Sequence, residues 1–130
     1  MMVSAADDAA RFVFLLVLAF LAGVVFGVLG TAAHQATIVV AGVTLPGGTL
    51  LAIAGVATLY SGFRLEFRNR LVPLASAMGL VLTVGLFSLK SVGGSVLVPN
   101  NLAGIVWSIA PAVLAIIVVC WPRLAGNRPA

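Results

Sequence analysis

Four long apolar runs divide this sequence, and they constrain its fold more than any other feature. They cover residues 12–33, 45–63, 71–89 and 102–121, and each is close to the ~20 residues that a helix needs to cross about 30 Å of hydrocarbon. Inside hydrocarbon, every backbone amide has to be hydrogen-bonded within its own segment. The sequence therefore predicts an all-α membrane protein, a four-transmembrane-helix bundle that forms a single domain over residues 1–130.

The composition favours lipid over water as the surrounding medium. Hydrophobic residues make up 62% of the chain and charged residues 8%, whereas soluble domains carry about 25% charged residues. The excess apolar side chains are therefore expected to face the lipid bilayer. The first run is longer than the ~7–15 residues of a signal-peptide core. It also follows Asp7 and Asp8 rather than a basic segment, which favours a retained span.

The loops between the runs carry residues that break helices. Pro46 and two glycines open the second run, and charged residues separate the second run from the third. Gly93, Gly94 and Pro99 lie before the fourth run. The first loop also holds the β-branched residues 37–40, which favour a short extended segment where water is accessible.

The distribution of cations predicts the orientation of the bundle. If the N-terminus is cytoplasmic, six of the 7 Lys and Arg residues fall on the cytoplasmic side, and Lys90 alone lies outside. Both termini are therefore expected in the cytoplasm of a bacterial cell, with the protein in its inner membrane. The formal charge of +4 reflects cations that are thinly spread and that determine membrane orientation. We therefore expect no nucleic-acid partner. The cations that determine this topology most directly are Arg64, Arg68, Arg70 and Arg123.

Small residues recur at helical spacing along every predicted span. In lipid, such residues let helix backbones approach closely. Glycine is unfavourable in a helix by about 1 kcal/mol relative to alanine, so a repeated series of glycines indicates close packing. The alternative is that glycine is simply abundant, at 14 residues. The residues that we expect to pack helices are Gly23, Gly27, Gly30, Gly48, Ala52, Gly55, Gly79, Gly104 and Ser108.

The predicted spans offer few groups that carry chemistry. They hold no ionisable side chain away from their ends, which argues against ion or proton transport. The hydroxyls of Ser76, Thr83 and Ser108 either bond back to their own helices or line a path for a solute. One histidine and one cysteine cannot form a four-ligand zinc site of the Cys/His kind. With no acid–base pair and no phosphate loop either, we expect no enzyme, no metal and no cofactor.

His34, the only histidine, continues the glycine series at the non-cytoplasmic end of the first span. We expect it to pack or cap that end, with its ring bonded to a loop carbonyl or to Asn100 or Asn101. The alternative is a pH-sensing or ligand-contacting role. These three residues form the candidate polar site of the non-cytoplasmic loops.

Several of these motifs together resemble a known family. Gly27 followed by His34, Leu45-Pro46-Gly47-Gly48, Gly93-Gly94, and Gly104 followed by Trp107 are similar to an uncharacterised actinobacterial family of small four-span integral membrane proteins. The resemblance covers about residues 20–122. It implies four helices and a bacterial plasma membrane, and it implies no particular activity.

Two functional hypotheses follow. In the first, the protein acts by helix packing, as an accessory or assembly subunit of a larger membrane complex or as a homo-oligomer. Its partner is then another membrane protein or a second copy of the chain. The alternative is a channel or facilitator for a small neutral solute, lined by the hydroxyl groups named above.

Overall fold

A computed structural model describes residues 4–89, 98 and 100–122. Within these residues, the four helices are each long and apolar enough to cross a membrane, in agreement with the predicted all-helical, four-span bundle. A short β-hairpin joins the first two helices. The elements are α1 Ala5–Ala33, β1 Ile38–Val40, β2 Val43–Leu45, α2 Gly47–Glu66, α3 Leu71–Ser88 and α4 Leu102–Cys120.

The start of α1 lies seven residues before the predicted span. Ser4 caps the helix, because its hydroxyl accepts a hydrogen bond from the backbone N–H of Asp7 at 3.2 Å. The carboxylate of Asp7 in turn accepts from the backbone N–H of Ser4 at 3.3 Å. This reciprocal pair is a capping box. A hydropathy pattern misses such a start because it registers only the apolar part of a helix.

A β-hairpin precedes α2 and delays its start by two residues relative to the predicted span. Ile38 pairs with Leu45 and Val40 with Val43 in an antiparallel register. The turn residues Ala41 and Gly42 have φ values of 50° and 80°, as a two-residue hairpin turn requires. The extended segment predicted near residues 37–40 is therefore confirmed. The second span is predicted from about Leu45, whereas α2 begins at Gly47 because Leu45 belongs to β2.

The other ends of the helices agree closely with the predicted spans. α2 extends to Glu66, three residues beyond its predicted end, while α3 and α4 each stop one residue short of theirs. Several residues named in the sequence analysis lie outside the described part of the chain. They are the breakers Gly93, Gly94 and Pro99 and the cations Lys90, Arg123 and Arg128.

The closest helix contact joins α1 and α3, which run side by side in the same direction. A Cβ atom on Gly23 would meet the backbone of Ser76 and Leu80, and one on Gly79 would meet the backbone of Phe20. Only glycine therefore permits this approach. The arrangement is the small-residue packing that drives helix association in lipid.

The core lies among α2, α3 and α4. Its buried side chains include Val56 and Tyr60 from α2, Leu80 and Val84 from α3, and Trp107 from α4. Trp107 is the largest of the fully buried side chains, and it places the core within reach of the C-terminal end of α1.

Candidate functional site

His34 follows α1 directly and is almost completely buried, with 1% of its surface exposed. Its backbone N–H donates to the carbonyl oxygen of Gly30 at 2.8 Å, which closes the helix. The ring Nδ1–H donates to the carbonyl oxygen of Thr31 at 2.6 Å. The amide nitrogen of Gln35 donates to ring Nε2, also at 2.6 Å. Both ring nitrogens are therefore engaged by residues of the α1 terminus itself.

A chain of hydrogen bonds continues from His34 to the start of α4. The Gln35 Oε1 atom accepts from Nδ2 of Asn101 at 3.4 Å, and Oδ1 of Asn101 accepts from the backbone N–H of Gly104 at 2.8 Å. The expected link between His34 and Asn101 therefore runs through Gln35 and is not direct. Asn100 is exposed, and no hydrogen bond joins it to the residues that the structure describes.

The two ends of this chain fix its direction. The backbone N–H of Gly104 can only donate, and the carbonyl oxygen of Thr31 can only accept. Both amide groups are oriented accordingly, so His34 accepts at Nε2 and carries its hydrogen on Nδ1 in the neutral form. Each amide nitrogen uses one hydrogen in the chain, which leaves a second N–H on Gln35 and on Asn101.

Trp107 connects α4 to the same end of α1. Its ring stacks on that of His34, with centroids 6.2 Å apart and planes inclined by 17°. Its indole N–H donates to the hydroxyl of Thr31 at 3.0 Å. A Cβ atom on Gly30 would collide with the same indole ring. Gly30 therefore makes room for a side chain, whereas Gly23 makes room for a backbone.

The start of α2 is held against the end of α1 by two more hydrogen bonds. The hydroxyl of Thr49 donates to the carbonyl oxygen of His34 at 2.7 Å. The backbone N–H of Gly48 donates to the carbonyl oxygen of Ala36 at 2.7 Å. A side chain on Gly48 would collide with the carbonyl oxygen of Ala33. Gly48 thus packs a helix start against a helix end.

A cleft of about 490 Å³ lies beside these residues, and we call it the His34 cleft. Its described lining combines neutral polar side chains with apolar ones and includes no charged residue. The polar members are His34, Gln35, Thr37, Thr44, Thr49 and Asn101, and the apolar members are Pro46, Leu50, Ile53, Leu102, Ala103 and Val106.

Of the other residues predicted to pack helices, some are already packed within the chain and others are exposed. A Cβ atom on Gly27 would lie 2.9 Å from the side chain of Thr83 in α3, and Ala52 and Gly104 are buried. Ser108 is exposed, and its hydroxyl donates to the carbonyl oxygen of Gly104 at 2.8 Å. Most of the predicted packing positions are therefore already occupied within one chain.

Gly55 remains largely open on α2. Of the described residues, only Phe26 approaches it, with its ring 3.8 Å from the position of a Cβ atom, and none comes within 4 Å of a Cβ atom on Gly62. Both glycines line a groove between α1 and α2, which we call the α1/α2 groove. Its two sections have volumes of about 180 and 410 Å³ and share Phe26.

The basic residues gather at the opposite end of the bundle, where α2 ends and α3 begins. Arg64, which directly follows the predicted end of the second span, lies in the last turn of α2 and is 6% exposed. Its Nη2 group donates to the carbonyl oxygen of Trp121 at 3.0 Å. A helix end can bury an arginine when a carbonyl at the end of a neighbouring helix accepts from it. Arg68 and Arg70 are exposed, whereas Arg123 lies outside the described residues.

Sequence reasoning missed Gln35, Thr31 and Trp107. The only signal was local, since Thr31 and His34 lie one turn apart on the same helix face. No pattern in the sequence indicates that Trp107 of the fourth span meets that face.

No group of three His, Cys, Asp or Glu side chains comes together as a metal site among residues 4–89, 98 and 100–122. No protein-family model, no curated protein and no solved structure matches the chain.

Proposed function

We propose that this protein acts by helix packing in a bacterial cell membrane, as an assembly subunit whose α1/α2 groove binds a transmembrane helix. That helix belongs to another membrane protein or to a second copy of the chain. The observation that carries the proposal is the open groove itself. Two glycines on one face of α2, Gly55 and Gly62, have little or nothing from the described part of the chain packed against them.

The groove has the dimensions of a helix-binding site. Its α2 wall runs from Leu51 to Glu66, which corresponds to roughly 22 Å at 1.5 Å per residue. Glycine on the floor of a groove permits the approach of a helix backbone, and a lipid chain does not need that closeness. The α1–α3 contact uses the same mode of packing, with Gly23 and Gly79 at its centre.

Only some of the predicted packing glycines remain accessible to a partner helix. Gly23, Gly27 and Gly79 already pack α1 against α3 within one chain, so they are not available to a partner. A large residue at Gly27 would disturb the bundle itself. The partner surface is therefore expected on α2, where Gly55, Thr58 and Gly62 share one face.

Gly62→Ile tests the proposal, with Gly85→Ile as its matched control. Both glycines have open space around them, but only Gly62 lines the α1/α2 groove. We expect Gly62→Ile to abolish the complex seen by native mass spectrometry and by co-purification in mild detergent. Gly85→Ile should leave it intact, and both variants should insert and unfold like the parent protein.

Two results would contradict the proposal. One is an unchanged complex in the Gly62→Ile variant, and the other is a parent protein that remains monomeric and unaccompanied when extracted from its membrane. Co-expression of two differently tagged copies separates the two kinds of partner. Recovery of both tags together identifies a homo-oligomer, and recovery of one tag with another protein identifies a larger complex.

The alternative, a channel or facilitator for a small neutral solute, has less support. The hydroxyls of Thr83 and Ser108 donate to carbonyl oxygens of their own helices, and bulky side chains such as Trp107, Tyr60 and Leu80 fill the core. Among the buried hydroxyls of the described residues, those of Ser76 and Tyr60 have no hydrogen-bond partner. Solute flux into liposomes that is lost in Ser76→Val would favour this alternative.

A further inference from the structure

The His34 cleft combines three properties that together define a class of ligand. The described part of its lining is uncharged, its exposed polar side chains carry unused hydrogen-bonding groups, and one of its walls is apolar. The cleft lies at one end of the bundle, whereas the α1/α2 groove runs along the side. An occupant of the cleft is therefore independent of the helix proposed for the groove.

Four side chains of the cleft have N–H or O–H groups that are not used in hydrogen bonds with the described residues. Gln35 and Asn101 each retain one amide N–H, because the direction of the chain through His34 commits only one hydrogen of each. The hydroxyls of Thr37 and Thr44 bond to none of the residues that the structure describes. The cleft thus offers N–H and O–H donors to a neutral acceptor. An ionic head group would find no counter-charge in the described lining.

The apolar wall of the cleft indicates what is attached to that head group. Ile53 is half-buried and Val106 is 36% exposed, while Leu50 and Leu102 are 58% and 81% exposed. Leu50 and Leu102 lie near the starts of two membrane-length helices, so the apolar wall continues into the surface expected to face lipid. A chain that enters along it exchanges lipid for protein contacts at little cost.

We propose that the His34 cleft binds a membrane lipid with an uncharged, hydroxyl- and ester-bearing head group, of which a diacylglycerol is the simplest example. The head group accepts hydrogen bonds from Gln35 and Asn101, and an acyl chain lies along Ile53 and Val106. The cleft thereby selects neutral lipids over the charged lipids around it.

Quenching of Trp107 fluorescence tests this directly. Val106 precedes Trp107 in α4, and the Trp107 ring stacks on His34 in the lining. A brominated acyl chain in the cleft therefore quenches its emission. The chain has 2 tryptophans, so Trp121→Phe leaves Trp107 as the only reporter. The full-length protein is placed in phosphatidylcholine nanodiscs that contain a few mole per cent of dibromostearoyl diacylglycerol.

We expect saturable quenching that Gln35→Met and Asn101→Ser each shift to about tenfold higher mole fraction, the effect of losing one hydrogen bond of about 1.4 kcal/mol. Serine retains an oxygen that can cap α4. Thr44→Val removes a hydroxyl from the exposed hairpin and should give a smaller shift without any risk to folding. Thr58→Val, which lies on the groove and away from the cleft, should give no shift.

Three results would overturn the proposal. Equal quenching by dibromostearoyl phosphatidylglycerol would show contact with bulk lipid only. If Gln35→Met, Asn101→Ser and Thr44→Val all reach half-saturation at the same mole fraction of lipid as the parent protein, these side chains do not bind the head group. Displacement of the brominated lipid by glycerol alone would assign the cleft to a soluble polyol and not to a lipid.

Discussion

At the scale of single residues, the polar groups around His34 depend on one another because they are buried together. Thr31 takes part twice, since its carbonyl oxygen accepts from the ring of His34 and its hydroxyl accepts from the indole of Trp107. A buried group that loses its partner has no water to replace it. The fully buried Trp107 is therefore the side chain most affected by changes at Thr31.

Thr31→Val should destabilise the protein by about 1 kcal/mol, because it leaves the buried indole N–H without an acceptor while conserving side-chain volume. Thr58→Val is the matched control. Its hydroxyl donates to the carbonyl oxygen of Ala54 in its own helix at 2.8 Å and lies on the exposed surface, so its loss should change stability little. Unfolding in mixed detergent and dodecyl sulfate measures both. Equal stability of the two variants would contradict the role assigned to Thr31.

His34 also shows how far residue-level inference from sequence extends. Its position after the last glycine of the first run predicts a capping or packing role, and the structure places it as the C-cap of α1. Its ring partners depend on Gln35, the next residue, and on the start of α4. An (i, i+1) pair does not share a helix face, so the pairing of His34 with Gln35 exists only because the helix ends there.

At the scale of elements, the α1–α3 contact should be the most sensitive to added volume. Gly23→Ala places a Cβ atom against the backbone of Ser76, and backbone atoms cannot move aside as a flexible side chain can. We expect a loss of about 2 kcal/mol of stability from this overpacking. Gly85→Ala in α3 meets open space and should be neutral or slightly stabilising, since alanine favours the helix.

The same dodecyl sulfate titration compares the two alanine variants. A Gly23→Ala variant as stable as Gly85→Ala would mean that α1 and α3 do not touch through their backbones. Far-ultraviolet circular dichroism should show equal helix content in both variants, since each helix is formed by its own hydrogen bonds. The expected loss is therefore a loss of packing alone.

The elements themselves follow from the sequence far better than their pairing does. Apolar length and breakers place α3 and α4 to within one residue, because in lipid a helix is nearly the only option for such runs. Pairing depends on which small residues face which backbone. Every predicted span carries a small-residue series, so Gly23 and Gly79 have no distinguishing mark in the sequence. Close approach is decided by the relative height and rotation of two helices, which hydropathy does not encode.

At the scale of the whole molecule, the two ends of the bundle differ in chemistry. The end that holds the His34 cleft presents neutral polar groups, whereas the other end presents Arg68 and Arg70 on its surface. The distinction matches the charge bias on which the predicted topology depends. Arg64 belongs to the same basic end, although its side chain is buried against Trp121.

Single-cysteine labelling in cells tests that topology. In a Cys120→Ala background, Thr37→Cys lies on the exposed hairpin and Glu66→Cys on the exposed end of α2. Because cations and not carboxylates govern orientation, neither change alters the bias. A membrane-impermeant maleimide added to intact spheroplasts should label Thr37→Cys at once and Glu66→Cys only after lysis. The reverse order would place the His34 cleft in the cytoplasm, and equal labelling in both would mean that the chain inserts in two orientations.

Arg68→Glu with Arg70→Glu in the Glu66→Cys protein supplies the positive control. Removing two of the cations at that end should allow some molecules to label before lysis, because the bias that holds the basic loop inside is then weaker.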